Sequence, residues 1–228
     1  GRLGPDRFIP LAEHTGLIVP LGRWVLEQAV RQACAWHAQR DAGSAGGGPA
    51  DDGEPPLRVN VNLSPRQLHH PDLVPDTVAV LEAAGMAPSS LCLEVTESAL
   101  IGADEDELKP LRQLAELGVD IALDDFGTGY SNLANLRRLP ATTLKLDRSF
   151  TQGLQRHPAD PVDVTFVEGI VSLAHALGLA VTVEGVETEH QAIRLRELGC
   201  DTAQGWYYAR PGPPSAFVQG FAVSPVRP

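Results

Sequence analysis

Six polar residues stand at the ends of six short alternating segments: Asn62, Glu94, Asp124, Lys145, Glu184 and Gln204. Their types suit hard-cation and phosphate chemistry, because carboxylate and amide oxygens hold Mg²⁺ or Mn²⁺. The neighbouring pair Asp124 and Asp125 could reach two ions together, and a two-metal cluster suits in-line attack of water on a phosphodiester. Taken singly, a carboxylate at such a position is more often a helix cap or a surface ion pair. Six inward polar groups of matching parity are harder to explain that way.

The parity follows from strand geometry, which sends successive side chains to opposite faces. The segments are 58–63 (RVNVNL), 91–96 (LCLEVT), 119–124 (VDIALD), 142–146 (TTLKL), 180–184 (AVTVE) and 202–207 (TAQGWY). One face carries residues such as Val59, Val61, Leu93, Val95, Ile121, Leu144 and Val183. The other carries Asn60, Asn62, Cys92, Glu94, Asp120, Asp124, Lys145, Asp147, Glu184 and Gln204. Helical patterns lie between: 72–84 before Gly85, 104–117 before Gly118, 131–139 before Pro140, 163–177 before Gly178 and 189–198 before Gly199. Acids open the second of these, and Pro110 marks either its start or a kink. Two more helices, 10–14 and 21–36, precede the first strand, with Trp24, Leu26, Val30 and Trp36 as packing residues.

Alternation of this kind implies the α/β class and a parallel sheet with right-handed crossovers, here a β/α (TIM-like) barrel. The apolar faces pack on the helices and the polar faces point inward. An ordinary barrel fills its interior with Val, Ile and Leu. Buried carboxylates there are unfavourable by several kcal/mol unless paired or metal-bound. The strand ends that carry them form the face where such barrels place their active sites.

Bulk properties narrow the function. A length of 228 residues suits one barrel or two small domains. The formal net charge of −11 argues against a duplex nucleic acid or an anionic membrane surface as partner. It also means that an anionic substrate must be drawn in by bound cations. The three cysteines, Cys34, Cys92 and Cys200, have neither disulfide nor zinc spacing, so a reducing compartment and a cytoplasmic location are expected. No histidine pair has metal-site spacing; His69 and His70 are adjacent and diverge. No apolar run is long enough to span a bilayer. Residues 41–56 (DAGSAGGGPADDGEPP) read as a flexible surface loop, and the proline-rich tail 211–228 as loosely packed. Gly127-Thr128-Gly129 reads as a turn, lacking the full G-x-G-x-x-G phosphate motif.

Seven segments resemble the EAL family of cyclic-di-GMP phosphodiesterases: FIPLAEHTG (8–16), VNLS (61–64), EVTES (94–98), DDFGTGYS (124–131), LKLDRSF (144–150), EGVE (184–187) and QG (204–205). They occur in the family's order with similar spacings, from Phe8 to about Pro211. The resemblance implies hydrolysis of cyclic di-GMP to linear pGpG with two Mg²⁺ or Mn²⁺ ions per site. It implies that Asn62, Glu94, Asp124 and Asp125 are metal ligands. Lys145 would orient the attacking water and the phosphate, and Glu184 would be the general base or a water-mediated ligand. Gln204 would lie near the metal–water cluster. Glu97 would steady the loop 126–131, with Asp147 and Glu187 as further support. That loop resembles one that links dimer contacts to the active site, so a homodimer is expected. The family domain begins with two more strands, the second carrying the Glu-Ala-Leu signature. The resemblance therefore implies one EAL-type domain over 1–228 without those strands, about six of eight present, in a parent protein that could be membrane-anchored. Two other readings remain open: a catalytically inactive module that binds cyclic di-GMP, and a dimerisation scaffold. Arg148 and Arg210 are candidate phosphate or base contacts, with exposed salt bridges as the plainer reading.

Overall fold

The computed structural model describes residues 3–44, 57–100, 103–127, 136–154 and 160–217. Its centre is a six-stranded sheet, all parallel, in the order of the sequence. The strands are β1 Val59–Asn62, β2 Leu91–Thr96, β3 Asp120–Phe126, β4 Thr143–Leu146, β5 Ala180–Val183 and β6 Thr202–Ala203. The helices are α1 Pro5–Thr15, α2 Ile18–Ser44, α3 Pro65–Leu68, α4 Leu73–Ala84, α5 Glu105–Glu116, α6 Arg148–Gly153, α7 Pro161–Ala176 and α8 Glu189–Glu197. Among the described residues β1 and β6 each have one unpaired edge, so the barrel is open between them. No described helix is long and apolar enough to cross a membrane.

The apolar strand faces build the core as expected. Leu91, Val95, Leu146, Val181 and Val183 are fully buried, in one cluster with Leu111 and Leu114 of α5 and Val171 of α7. On the polar side, depth follows position in the sheet. Asn60 and Asn62 on edge strand β1 and Thr202 on β6 are exposed, whereas Glu94 and Lys145 on inner strands are buried.

The helix boundaries differ from the sequence reading in instructive ways. Helix α5 starts at Glu105 and runs through Pro110, because the Asp104 carboxylate accepts the N–H groups of Asp106 and Glu107 while Glu107 caps Asp104 in return. Buried Leu108, Leu111 and Leu114 hold the rest. Helix α1 is longer than expected and ends at Gly16 in the left-handed region. Helix α2 extends to Ser44, so the first four residues of the expected loop 41–56 are helical; 45–56 lie outside the described residues. The expected helix 131–139 lies mostly outside them too. Leu26 and Val30 pack inward, and Trp36 meets Phe217 edge-on at 6.2 Å, but Trp24 is 56% exposed rather than packed.

Strand β6 stops at Ala203 instead of Tyr207. After Gln204 the chain folds over Val186, whose carbonyl accepts the Tyr207 N–H. Gly205 lies so close to the Val186 backbone that any side chain there would overlap it.

Candidate functional site

Lys145 is the hub. Its strand delivers it into the barrel interior, where it is 3% exposed. Its ammonium donates to Glu184 Oε1 at 2.6 Å, Glu94 Oε2 at 2.9 Å and Asp124 Oδ1 at 3.0 Å. These four groups come from β4, the end of β5, β2 and β3. Burial alone would lower the lysine's pKa, but the hydrogen bonds it donates to Glu184 and Glu94 and the charges of Glu94 and Asp124 hold it above the ordinary lysine value. Three carboxylates at hydrogen-bonding distance thus favour the charged, donating form of the lysine.

Glu184 has the opposite tendency. Burial pushes its carboxyl up, the Lys145 hydrogen bond pulls it down, and the charges of Asp124 and Glu94 push it up again, leaving it above the usual range. A raised carboxylate within reach of a fixed ammonium is suited to accept a proton.

Asp124 and Asp125 reach the same rim through a β-bulge. Leu123 pairs with Leu144, yet Phe126 pairs with Leu146, so one extra residue of β3 is accommodated. Asp125 takes it up at φ 55°, the one described non-glycine residue with positive φ. Simple alternation would send Asp125 to the helix side; the bulge resets the parity and leaves Phe126 buried. The Asp125 N–H donates to Asp124 Oδ1 at 3.0 Å. Burial, followed by the charges of Asp124 and Asp147, raises the Asp125 pKa.

The supporting residues are more dispersed. Glu97 Oε2 accepts the Gly127 N–H at 3.4 Å, at the start of the 126–131 loop, of which 128–131 lie outside the described residues. Asp147 caps α6 by accepting the Ser149 N–H at 2.9 Å. Burial alone would raise Asp147, but the Ser149 hydrogen bonds and Arg148 bring it below the usual range. Gln204 is held by its backbone, donating to Val183 O and accepting from Val186 N–H. Glu187 is exposed at the rim. Asn62 pairs in register with Glu94, but among the described residues no hydrogen bond joins its side chain to the cluster. Instead Asn60, one inward position lower on β1, donates to Glu94 Oε1 at 2.7 Å. Its parity was visible in the sequence; its contact was not.

A cleft of about 810 Å³ opens beside this cluster, lined by Asp147, Arg148, Glu184, Gln204, Trp206 and Arg210 among others. The volume is in the range of small-molecule sites. Arg210 lies over the Trp206 ring at 4.8 Å; neither it nor Arg148 forms an ion pair among the described residues.

No three described His, Cys, Asp or Glu side chains are already gathered as a metal pocket. The donor chemistry nevertheless fits a hard cation. Glu94, Asp124, Asp125 and Glu184 are oxygen donors with a single ammonium among them.

A model of the EAL domain matches residues 1–211. This chain belongs to the EAL domain family. It is 43% identical over 219 residues to the cyclic di-GMP phosphodiesterase NbdA of Pseudomonas aeruginosa, covering 96% of this chain and 26% of that protein. The bifunctional diguanylate cyclase/cyclic di-GMP phosphodiesterase MucR of the same species is 42% identical over 222 residues, 97% of this chain and 30% of MucR. The EAL chain thus spans roughly a quarter to a third of these relatives. The structure of the MucR phosphodiesterase in complex with c-di-GMP superposes with a TM-score of 0.81 at 42% identity, covering 94% of this chain and 81% of that one. The Klebsiella pneumoniae BlrP1 manganese/c-di-GMP complex superposes at 0.66 with 29% identity, covering 83% and 45%. The EAL fold accounts for the half-barrel: its solved neighbours are TIM-like barrels.

Proposed function

We propose that this EAL domain hydrolyses one phosphodiester bond of cyclic di-GMP, giving linear pGpG. The observation that carries the reading is the Lys145 ammonium among Glu94, Asp124 and Glu184 at the strand ends. Glu184 accepts a proton from water; the water oxygen forms a bond to phosphorus; the bond from phosphorus to a ribose 3′ oxygen breaks, and that oxygen takes up a proton from solvent to leave a 3′-hydroxyl. Lys145, fixed as a cation by three carboxylates, positions Glu184 against the water and offsets the negative charge of the phosphate, which orients attack. The cleft beside Glu184 holds the dinucleotide, with Arg148 and Arg210 facing its anionic groups. Asn62, Glu94, Asp124 and Asp125 would hold two divalent cations, Mg²⁺ or Mn²⁺. Bound there, these supply charge neutralisation and a more acidic water. Glu97, Asp147, Glu187 and Gln204 keep the strand-end loops in place.

Closing an eight-stranded barrel takes two more parallel strands between β6 and β1. We place the Glu-Ala-Leu glutamate of the family there, a homodimer contact at the loop 126–131, and the domain in the cytoplasm. The test is incubation of the protein with cyclic di-GMP and Mg²⁺ or Mn²⁺, with chromatography of the nucleotides. Linear product is expected. Binding without turnover would show a sensing module instead, and neither binding nor turnover in folded protein would leave a scaffold.

A further inference from the structure

Gln191 is 0% exposed, yet it is a polar residue on the first turn of α8, outside the cluster around Lys145. Its amide oxygen accepts the N–H groups of Glu187 at 2.8 Å and Thr188 at 3.0 Å, and the Thr188 hydroxyl lies at 3.2 Å. Its amide nitrogen donates to the carbonyl of Thr151 at 3.1 Å. One side chain therefore ties the loop after β5 to helix α6, which follows β4. Thr151, 1% exposed, makes the same tie from the other side. Its hydroxyl reaches the carbonyls of Arg148 at 2.7 Å and Gly185 at 3.3 Å.

These two connections are the ones that carry the Lys145–Glu184 pair. Lys145 sits three residues before α6, and Glu184 opens the loop whose N–H groups Gln191 collects. Gly185 turns that loop at φ 69° and presses on Arg148, leaving no room for a side chain. Spacing between the ends of β4 and β5 is thus set behind the site as well as across it. We propose that Gln191, with Thr151, is a positioning residue that holds Glu184 at hydrogen-bonding distance from Lys145. A glutamine suits the tie because it carries an acceptor for the loop and a donor for α6 on the same side chain.

The inference rests on the hydrolytic reading, so its test has two readouts. Gln191→Met keeps the volume and removes both roles; Gln191→Glu keeps the acceptor; Thr151→Val removes only the hydroxyl. Hydrolysis of cyclic di-GMP is measured per folded molecule, with deuterium exchange of the 184–188 and 148–153 segments. In Gln191→Met and Thr151→Val, kcat is expected to fall about 10- to 100-fold with KM nearly unchanged, the scale of a small misplacement of reacting groups. Exchange should rise in those two segments and not in β2 or β3. Gln191→Glu should recover part of kcat. An unchanged kcat, an equal loss in KM, or an exchange increase spread over the whole sheet would overturn the proposal. Should Gln191→Met not fold, Thr151→Val decides by the same criteria. Should the folded wild-type protein lack hydrolysis, the functional reading fails while the exchange result still decides the tie.

Discussion

At the scale of single residues, the site depends on one cation satisfying several anions. A buried lysine with three carboxylate partners leaves little freedom in any of them, since each lost contact exposes a charge to a poorly solvated interior. Glu94 shows this best: one oxygen takes the Lys145 ammonium and the other takes the Asn60 amide. Removing the amide frees Glu94 to rotate. Asn60→Ala is therefore expected to weaken Mn²⁺ binding by about 10-fold, the usual effect of losing a group that orients a ligand. Calorimetric titration checks this, and an unchanged affinity would show that Asn60 only fills space. Asp124→Asn should go further, abolishing turnover while the far-ultraviolet circular dichroism stays native. Global unfolding of that variant would mean that Asp124 is a structural partner of Lys145 and nothing more.

At the scale of elements, the bulge in β3 and the cap beneath β5 make separate predictions. Asp125 occupies the left-handed region, which Asn and Asp tolerate and β-branched residues do not. Asp125→Asn should keep the stability of the wild type within about 0.5 kcal/mol, while Asp125→Val should lose about 1–3 kcal/mol more; urea unfolding of both variants measures the difference. Asp201, between α8 and β6, accepts the Val181 N–H at 2.7 Å and the His175 ring at 2.9 Å. Burial alone would raise its pKa, but the Val181 N–H and His175 bring it below the usual range. A depressed folded pKa stabilises above the unfolded value and is lost as pH falls through the folded one. Asp201→Asn should thus cost about 1 kcal/mol at pH 7, discounted for its partial exposure, and nothing once the pH is below the folded pKa. The β/α alternation was legible because helices stop at glycines such as Gly85, Gly118, Gly178 and Gly199, all of which take positive φ. The bulge was not, because strand parity carries no local mark of one extra residue. Thr188-x-x-Gln191 is a readable capping signal, but nothing near it announces a bond to Thr151, 40 positions away. The end of β6 escaped for the same reason: Gly205 meets Val186 only in the folded chain.

At the scale of the whole molecule, the charge of −11 and the anionic dinucleotide proposed as substrate are at odds unless cations intervene. The open barrel concentrates that conflict, because its inner carboxylates face one rim and share one lysine. The sheet's two unpaired edges add a second weakness, leaving the outer sides of β1 and β6 without a neighbouring strand among the described residues. A divalent cation binding only the folded rim should therefore raise stability by mass action, by about 2.7 kcal/mol at one hundred times its dissociation constant. For a domain of this size that corresponds to a rise in Tm of roughly 5–10 °C. Scanning calorimetry with and without Mn²⁺ measures it, and a chelator should reverse it. The shift should shrink in Asp124→Asn and persist in Asp201→Asn, because only the first change touches the rim. Equal shifts in both variants would place the ion elsewhere on the acidic surface and separate metal binding from the Lys145 cluster.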